Sequence, residues 1–205
     1  MAIGDSYASP AEYAAAKKKL SSEDEAAIAR DLTGISRYID RVCGRVAGFN
    51  KDAAAVQRVY IPKRNTVELL VADLVSVSAI TADTAMNGQY GETLSAADYE
   101  LHPLDAADGP EPWPYTSILA TPWGARAAWQ RGVRVKVNGI WGWPSVPAAI
   151  AAATIELTAI LRLESPRATN SITELNQVLG TSRVAQSILG EIVNSYGRTG
   201  EAVAW

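Results

Sequence analysis

Apolar residues near the start of the chain recur at helical spacing. Ile28, Leu32, Ile35, Ile39, Val42 and Val46 follow one another at intervals of 4, 3, 4, 3 and 4, which is one stripe of an α-helix. Ahead of them Ser22-Glu23-Asp24-Glu25 has the S-x-x-E form of a capping box, with acids at the positive end of the helix dipole, so a helix is expected over about 23–46. Ser9-Pro10-Ala11-Glu12 has the same form and predicts a short Ala-rich helix over about 10–20, with Ser9 as N-cap. Gly48 is read as the stop of the longer helix. Arg30, Arg37, Arg41 and Arg45 lie mostly off the stripe and are expected on a solvated face, and Cys43 is expected to act as a small buried hydrophobe.

From Val56 the period changes to two. Residues 56–61, Val75 to Ala79 and Val133 to Val137 alternate between two faces, and Tyr99-Glu100-Leu101 adds a further short strand, so a β module is expected over about 55–141. Two stretches, 82–97 and 103–131, read as irregular, and the second holds five prolines with Trp113, Trp123 and Trp129. Pro147 opens AAIAAATIELTAILRL, a helix over about 147–164 that is apolar nearly all round and is expected to be buried between the long helix and either the sheet or another subunit. After Ser165-Pro166, Val184, Ile188, Leu189, Ile192, Val193 and Tyr196 form one more helical stripe, which needs something to pack on.

These elements predict an α+β fold with a mainly α-helical core, an inserted antiparallel β module and a C-terminal helical extension. The expected division is a domain over 1–165 and a docking extension over 166–205.

Composition narrows the function classes. With 19 basic and 22 acidic residues the net charge is −3, which does not suit tight binding of nucleic acid through a basic face. No run reaches the roughly 18 apolar residues of a membrane span, and the first residues lack a signal pattern, so a cytoplasm-like compartment is expected. The single Cys43 excludes an internal disulfide framework and a CxxC zinc site.

Candidate chemistry is sparse. His102, the one histidine, precedes Pro103 and has no second imidazole for a metal pair, so a structural or exposed role is expected. Neither a G-x-S-x-G turn nor a phosphate-binding glycine pattern occurs. No catalysis, cofactor or metal is therefore expected. Trp141 and Trp143, with Pro144 and Pro147, are read as packing residues at a strand-to-helix junction. Trp113, Trp123 and Trp129 are read as interface residues. The stripe Val184, Ile188, Leu189, Ile192 and Tyr196, with Trp205, is read as a surface that docks on another protein.

Three segments, in order, carry a resemblance. DEAAIARDLTGISRYIDRVCGR (24–45) ends in an I-D-x-x-C-G-R pattern, ELLVADLVSVSAITAD (68–83) is an L-V-S-V strand, and VRVKVNGIWGWPSVPAAIAAATIELTAILRLES (133–165) holds a G-x-W-G-W-P-x-V-P turn before a helix. Together they resemble the head-tail connector (adaptor) proteins of long-tailed bacteriophages and gene transfer agents. Val71-Ala72 departs from that family's proline before the aspartate. The resemblance implies a virion protein, made in the host cytoplasm, that assembles under the portal as a ring of about twelve copies, as closed cyclic symmetry permits. Its implied partners are copies of itself, the portal, the next neck or tail-completion protein and, loosely, the double-stranded DNA that passes through. The other function the residues allow is a free-standing protein- or carbohydrate-binding module that uses the Trp loops.

Overall fold

The computed structural model describes residues 6–17, 25–45, 47–108, 110–122, 124, 128–164 and 172–198. The described residues up to Phe49 and from Val146 onward form one compact unit, and Asn50–Ser145 form a second.

The first unit holds five helices: α1 (Pro10–Lys17), α2 (Glu25–Val42), α3 (Ala148–Glu164), α4 (Ile172–Thr181) and α5 (Arg183–Tyr196). The capping box of α1 is closed: Glu12 N–H donates to Ser9 Oγ at 3.2 Å, and Ser9 N–H donates to the Glu12 carboxylate at 2.6 Å. These hydrogen bonds hold the exposed Glu12 carboxyl below the usual carboxylate range. The start read at Ser22 lies outside the described residues. Ile28, Leu32, Ile35 and Ile39 of α2 are buried as one stripe, while Val46 lies outside the described residues. The helix ends at Val42, earlier than expected, because Gly44 takes a left-handed φ of 67°. Gly44 N–H then donates to Arg41 O at 3.1 Å and Arg45 N–H to Asp40 O at 2.8 Å, the paired bonds of a Schellman stop.

Helix α3 lies against the other helices of the unit and buries Ile150, Ala153, Thr154, Leu157, Thr158 and Leu161 along one face. Ala149, Ala152 and Leu163 stay exposed on the opposite side. Two ion pairs tie α3 to its neighbours, Lys17–Glu156 at 2.5 Å and Asp31–Arg162 at 2.6 Å. The segment expected to be a docking extension belongs to this unit as far as it is described: α4 packs on α3, and α5 packs on α2, α3 and α4. The C-terminal stripe is one face of α5, with Ala185 and Ile192 buried and Ile188, Leu189 and Tyr196 half-buried. Val184 and Val193 flank that face, about 180° apart at about 100° per residue, and are exposed.

The second unit is an antiparallel sheet of β1 (Val56–Tyr60), β2 (Glu68–Asp83), β3 (Glu92–Leu94), β4 (Tyr99–His102), β5 (Tyr115–Ala120) and β6 (Arg134–Trp141). The strand order is β1-β6-β2-β5-β4, with β3 also on β2. The long β2 is the hub: its first half pairs with β5, and its second half pairs with β6 on one side and β3 on the other. Irregular register after Leu70 and Leu74 marks where it changes partner. Val135, Val137 and Trp141 of β6 point into the core, and Arg134 and Lys136 point away.

The expectation of a mainly α-helical core with a subordinate β insertion is corrected. The structure has a six-stranded antiparallel sheet with 26% strand and 37% helix, and the helices are small. The larger cluster of buried residues lies in the sheet, from Tyr60 through Leu74, Ile80 and Ile118 to Trp141. Two strands inside the stretches read as irregular account for the difference. β3 spans three residues, and β5 carries the buried Ser117 beside Ile118, so neither shows period two in its sequence.

Trp143 is 1% exposed and packs against Trp113, the ring centroids 5.0 Å apart and the rings tilted by 52°. Gly142, between Trp141 and Trp143, has φ 103°, and a Cβ there would lie 2.0 Å from Asn50 O. Replacing Trp143 with Ala is expected to cost about 3–5 kcal/mol. A denaturant melt of the purified chain measures this, and a wild-type midpoint would contradict the packing role.

Candidate functional site

The segments that carry the resemblance form two local constructions, one in each unit. The first is built on the last turn of α2. Asp40 is 5% exposed, and its carboxylate accepts a hydrogen bond from Tyr7 OH at very short range and forms an ion pair with Arg37 at 3.1 Å. Tyr7 is held in place twice more: its N–H donates to Ser36 Oγ at 3.0 Å, and its hydroxyl accepts from Phe49 N–H at 2.7 Å. Arg37 lies over the Tyr7 ring, 5.3 Å from its centroid. Arg45 lies 5.4 Å from the centroid of Phe49 and donates from Nε to Tyr196 O at 2.7 Å, and Phe49 meets Tyr196 edge-on. The I-D-x-x-C-G-R pattern thus supplies a buried carboxylate, a helix stop and a cation that reaches the end of α5.

Burial pushes the Asp40 carboxyl above the usual carboxylate range, against the opposing pull of the Tyr7 hydrogen bond and Arg37. Burial, reinforced by the bond to Asp40, raises the Tyr7 hydroxyl as well. Cys43 is 2% exposed, and its thiol is pushed up to about 11 by burial, so it is not set up as a nucleophile near neutral pH. Arg45 is 7% exposed and Arg37 half-buried, which corrects the solvated face expected for them. The helix stops before Arg45, so helical spacing does not locate its side chain. Arg30 and Arg41 are exposed.

The second construction is the turn that follows β6. Trp141 is buried, donates from Nε1 to Val56 O at 2.7 Å and lies under Arg58, whose guanidinium is 4.5 Å from the ring centroid. Asp52 N–H donates to Trp141 O at 2.7 Å, and Gly142 N–H donates to Asp73 O at 2.8 Å. Pro144 is half-buried and Pro147 buried. The three tryptophans read as interface residues separate. Trp113 is 42% exposed, but Trp129 is fully buried, with Nε1 donating to Ile118 O at 2.9 Å, which removes it from any external surface. Trp123 and Trp205 lie outside the described residues.

His102 is half-buried in β4, with Nε2 3.6 Å from Glu100 Oε2, and Cys43 belongs to the other unit. Among the described residues no group of three or more His, Cys, Asp or Glu side chains could hold a metal ion, and no helix is long and apolar enough to cross a membrane. An open depression of about 410 Å³ is lined by Asp83, Met86, Asn87, Gly88, Gly132 and Arg134. The oxygens of Asp83 already accept from Asn87 N–H and Gly88 N–H at 3.0 and 2.8 Å, so its carboxylate serves the turn. No family model matches the chain, and no curated protein matches it.

Sequence reasoning missed Tyr7 and the partnering of Asp40. Their one signal was an aspartate and an arginine inside an apolar helical pattern that gave no reason for them. Tyr7→Phe removes a donor to Asp40 and an acceptor for Phe49 N–H, and is expected to cost about 1–3 kcal/mol in a denaturant melt. The folded chain holds the Asp40 proton to higher pH than the unfolded chain, so stability falls as pH rises from the ordinary carboxylate value of about 4 through the raised one. Melts across that window should therefore slope less for Asp40→Asn than for the wild type, and identical slopes would contradict the assignment.

Proposed function

We propose that this chain is a structural ring adaptor of a phage-type neck, placed in the virion beneath the portal, joining capsid to tail and letting double-stranded DNA pass. The observation that carries this reading is the position of the motif residues. Asp40, Gly44 and Arg45 of the first motif, and Trp141, Gly142 and Trp143 of the third, hold turns and helix ends in place. Residues that resemble a family's signature and serve only shape suit a protein whose task is assembly. On this reading the chain carries out no reaction, and its partners are its own copies, the portal and the next component of the neck.

Surface chemistry supports the same reading. Leu163 is 77% exposed and Leu104 68% exposed, large apolar side chains that a chain buried in an assembly would cover. A net charge of −3 suits a wall past which DNA slides, because each phosphate neutralised adds salt-dependent affinity that ejection would have to break. The binding-module reading has less behind it. Among the described tryptophans of the sheet unit only Trp113 is exposed, and one indole makes a poor platform for a polysaccharide.

Disrupting the gene in its parent element is expected to give DNA-filled capsids without attached tails. Cross-linking of intact particles is expected to place several copies of the chain against the portal vertex. Normally tailed particles from the disrupted gene would overturn the reading.

A further inference from the structure

Charge is segregated along the sequence of the sheet unit. No lysine or arginine lies between Arg64 and Arg126, while acids recur from Glu68 to Glu111. No acid lies between Asp52 and Glu68 or between Glu111 and Glu156, and those intervals hold Lys63, Arg64, Arg131 and Arg134. The fold brings the turns that hold Lys63, Arg64 and Arg131 to the start of β6, where Arg134 pairs with the buried Asp83, and the 103–114 loop to its far end.

At the start of β6 two turns are knitted together. Thr66 and Trp129 exchange backbone hydrogen bonds of 3.0 and 2.7 Å, Gly132 N–H donates to Pro62 O at 3.0 Å, and Arg131 N–H donates to Asn65 Oδ1 at 2.8 Å. These bonds bring the exposed Lys63, Arg64 and Arg131 to one corner, beside the exposed Ile61. None of the three cations forms an ion pair among the described residues.

The far end of β6 carries an acidic, aromatic loop, with the exposed Lys51 close to Gly142. Trp141 and Tyr115 both pair with Leu74, so the 103–114 loop leaves the sheet there, and Trp113 stands on Trp143. The loop exposes Leu104, Asp105, Asp108, Glu111 and Trp113. From Arg134 to Trp141 the strand runs about 23 Å at about 3.3 Å per residue, beyond a Debye length of about 8 Å. The two patches therefore do not neutralise each other within one chain.

We propose that the basic corner of one copy of this chain seats on the acidic Trp113 loop of the next. The contact rests on the ring reading above and gives it a joint. The corner presents Lys63, Arg64 and Arg131 and the loop presents Asp105, Asp108 and Glu111, so either set paired with itself puts like charge on like. Only the head-to-tail pairing is complementary, and such a contact repeats around a ring when its rotation closes. Both patches carry apolar side chains, and an arginine of the corner over the Trp113 indole adds cation–π attraction. Nucleic acid would match the corner by charge but not the loop, whereas a second copy matches both.

The test uses the whole chain and two charge-reversed variants, K63E/R64E/R131E and D105K/D108K/E111K, each shown by thermal melt to be folded. If a triple variant does not fold, the single variants R131E and D108K take its place. Sedimentation velocity is expected to show self-association of the wild type that weakens with added salt, and at least about tenfold weaker association of each variant alone. An equimolar mixture of the two variants should associate again, because their reversed patches complement each other. Lack of self-association by the wild type would overturn the ring reading together with this contact. Wild-type-like association of both variants would overturn the contact and leave the ring reading standing. If the corner variant loses retention of duplex DNA on a gel while associating normally, the corner is a nucleic-acid contact and the proposal falls.

Discussion

The buried carboxylate of Asp40 sets the terms for the helical unit. A charge-bearing group with little access to water is tolerated only when its oxygens are occupied, and removing one partner of such a group costs far more than an exposed bond is worth. Tyr7 and Arg37 occupy them, and each is drawn in by the need. Tyr7 brings the segment before α1 onto α2 and, through its hydroxyl, fixes the turn at Phe49. Phe49 supports Tyr196, and Arg45 ties the end of α5 to the stop of α2. One demand for hydrogen bonds thus links the beginning of the chain, its longest helix and its last described helix. Stability here is a property of the network, so replacements at Tyr7, Arg37 and Asp40 should not add independently.

Period explains which elements could be read from sequence. β6 alternates without interruption from Val133 to Trp141, and α2 keeps its stripe from Ile28 to Ile39, because each buries one face and wets the other. β5 is different: Ser117 on one face and Ile118 and Ala120 on the other are all buried, and a strand buried on both faces shows no alternation. Its prolines and tryptophans then drew the whole stretch into a loop reading. The balance between helix and sheet was misjudged for that reason, since the sheet's core depends on contacts between residues far apart in sequence, such as Leu69 opposite Ile118.

The site was legible as motifs and illegible as geometry. The pattern around Asp40 could be quoted, but its partner Tyr7 lies 33 residues away, and no spacing rule connects the two. Arg45 was placed by extending a helix through Gly44, where the chain turns instead. Trp129 was taken for an interface residue because it follows a proline-rich stretch, yet its bridge to Thr66 draws it inside and Ile118 O accepts its indole N–H. A hydrogen bond from the indole lifts the usual objection to burying a polar aromatic.

Charge was the last property to become informative. Counted over the whole β region the two signs nearly cancel, because the cations from Lys51 to Arg64 on one side and from Arg126 to Lys136 on the other offset a middle that is purely acidic. Only the topology turns that order into a direction. Antiparallel pairing of β1 with β6 carries the basic turns to one end of β6, and the pairing of β5 with the first half of β2 carries the acidic loop to the other. A small net charge then coexists with a large separation of charge. On the proposed ring reading, the first suits a wall past which DNA slides, the second gives copies of the chain opposite faces to present to one another, and neither requirement has to be relaxed to meet the other.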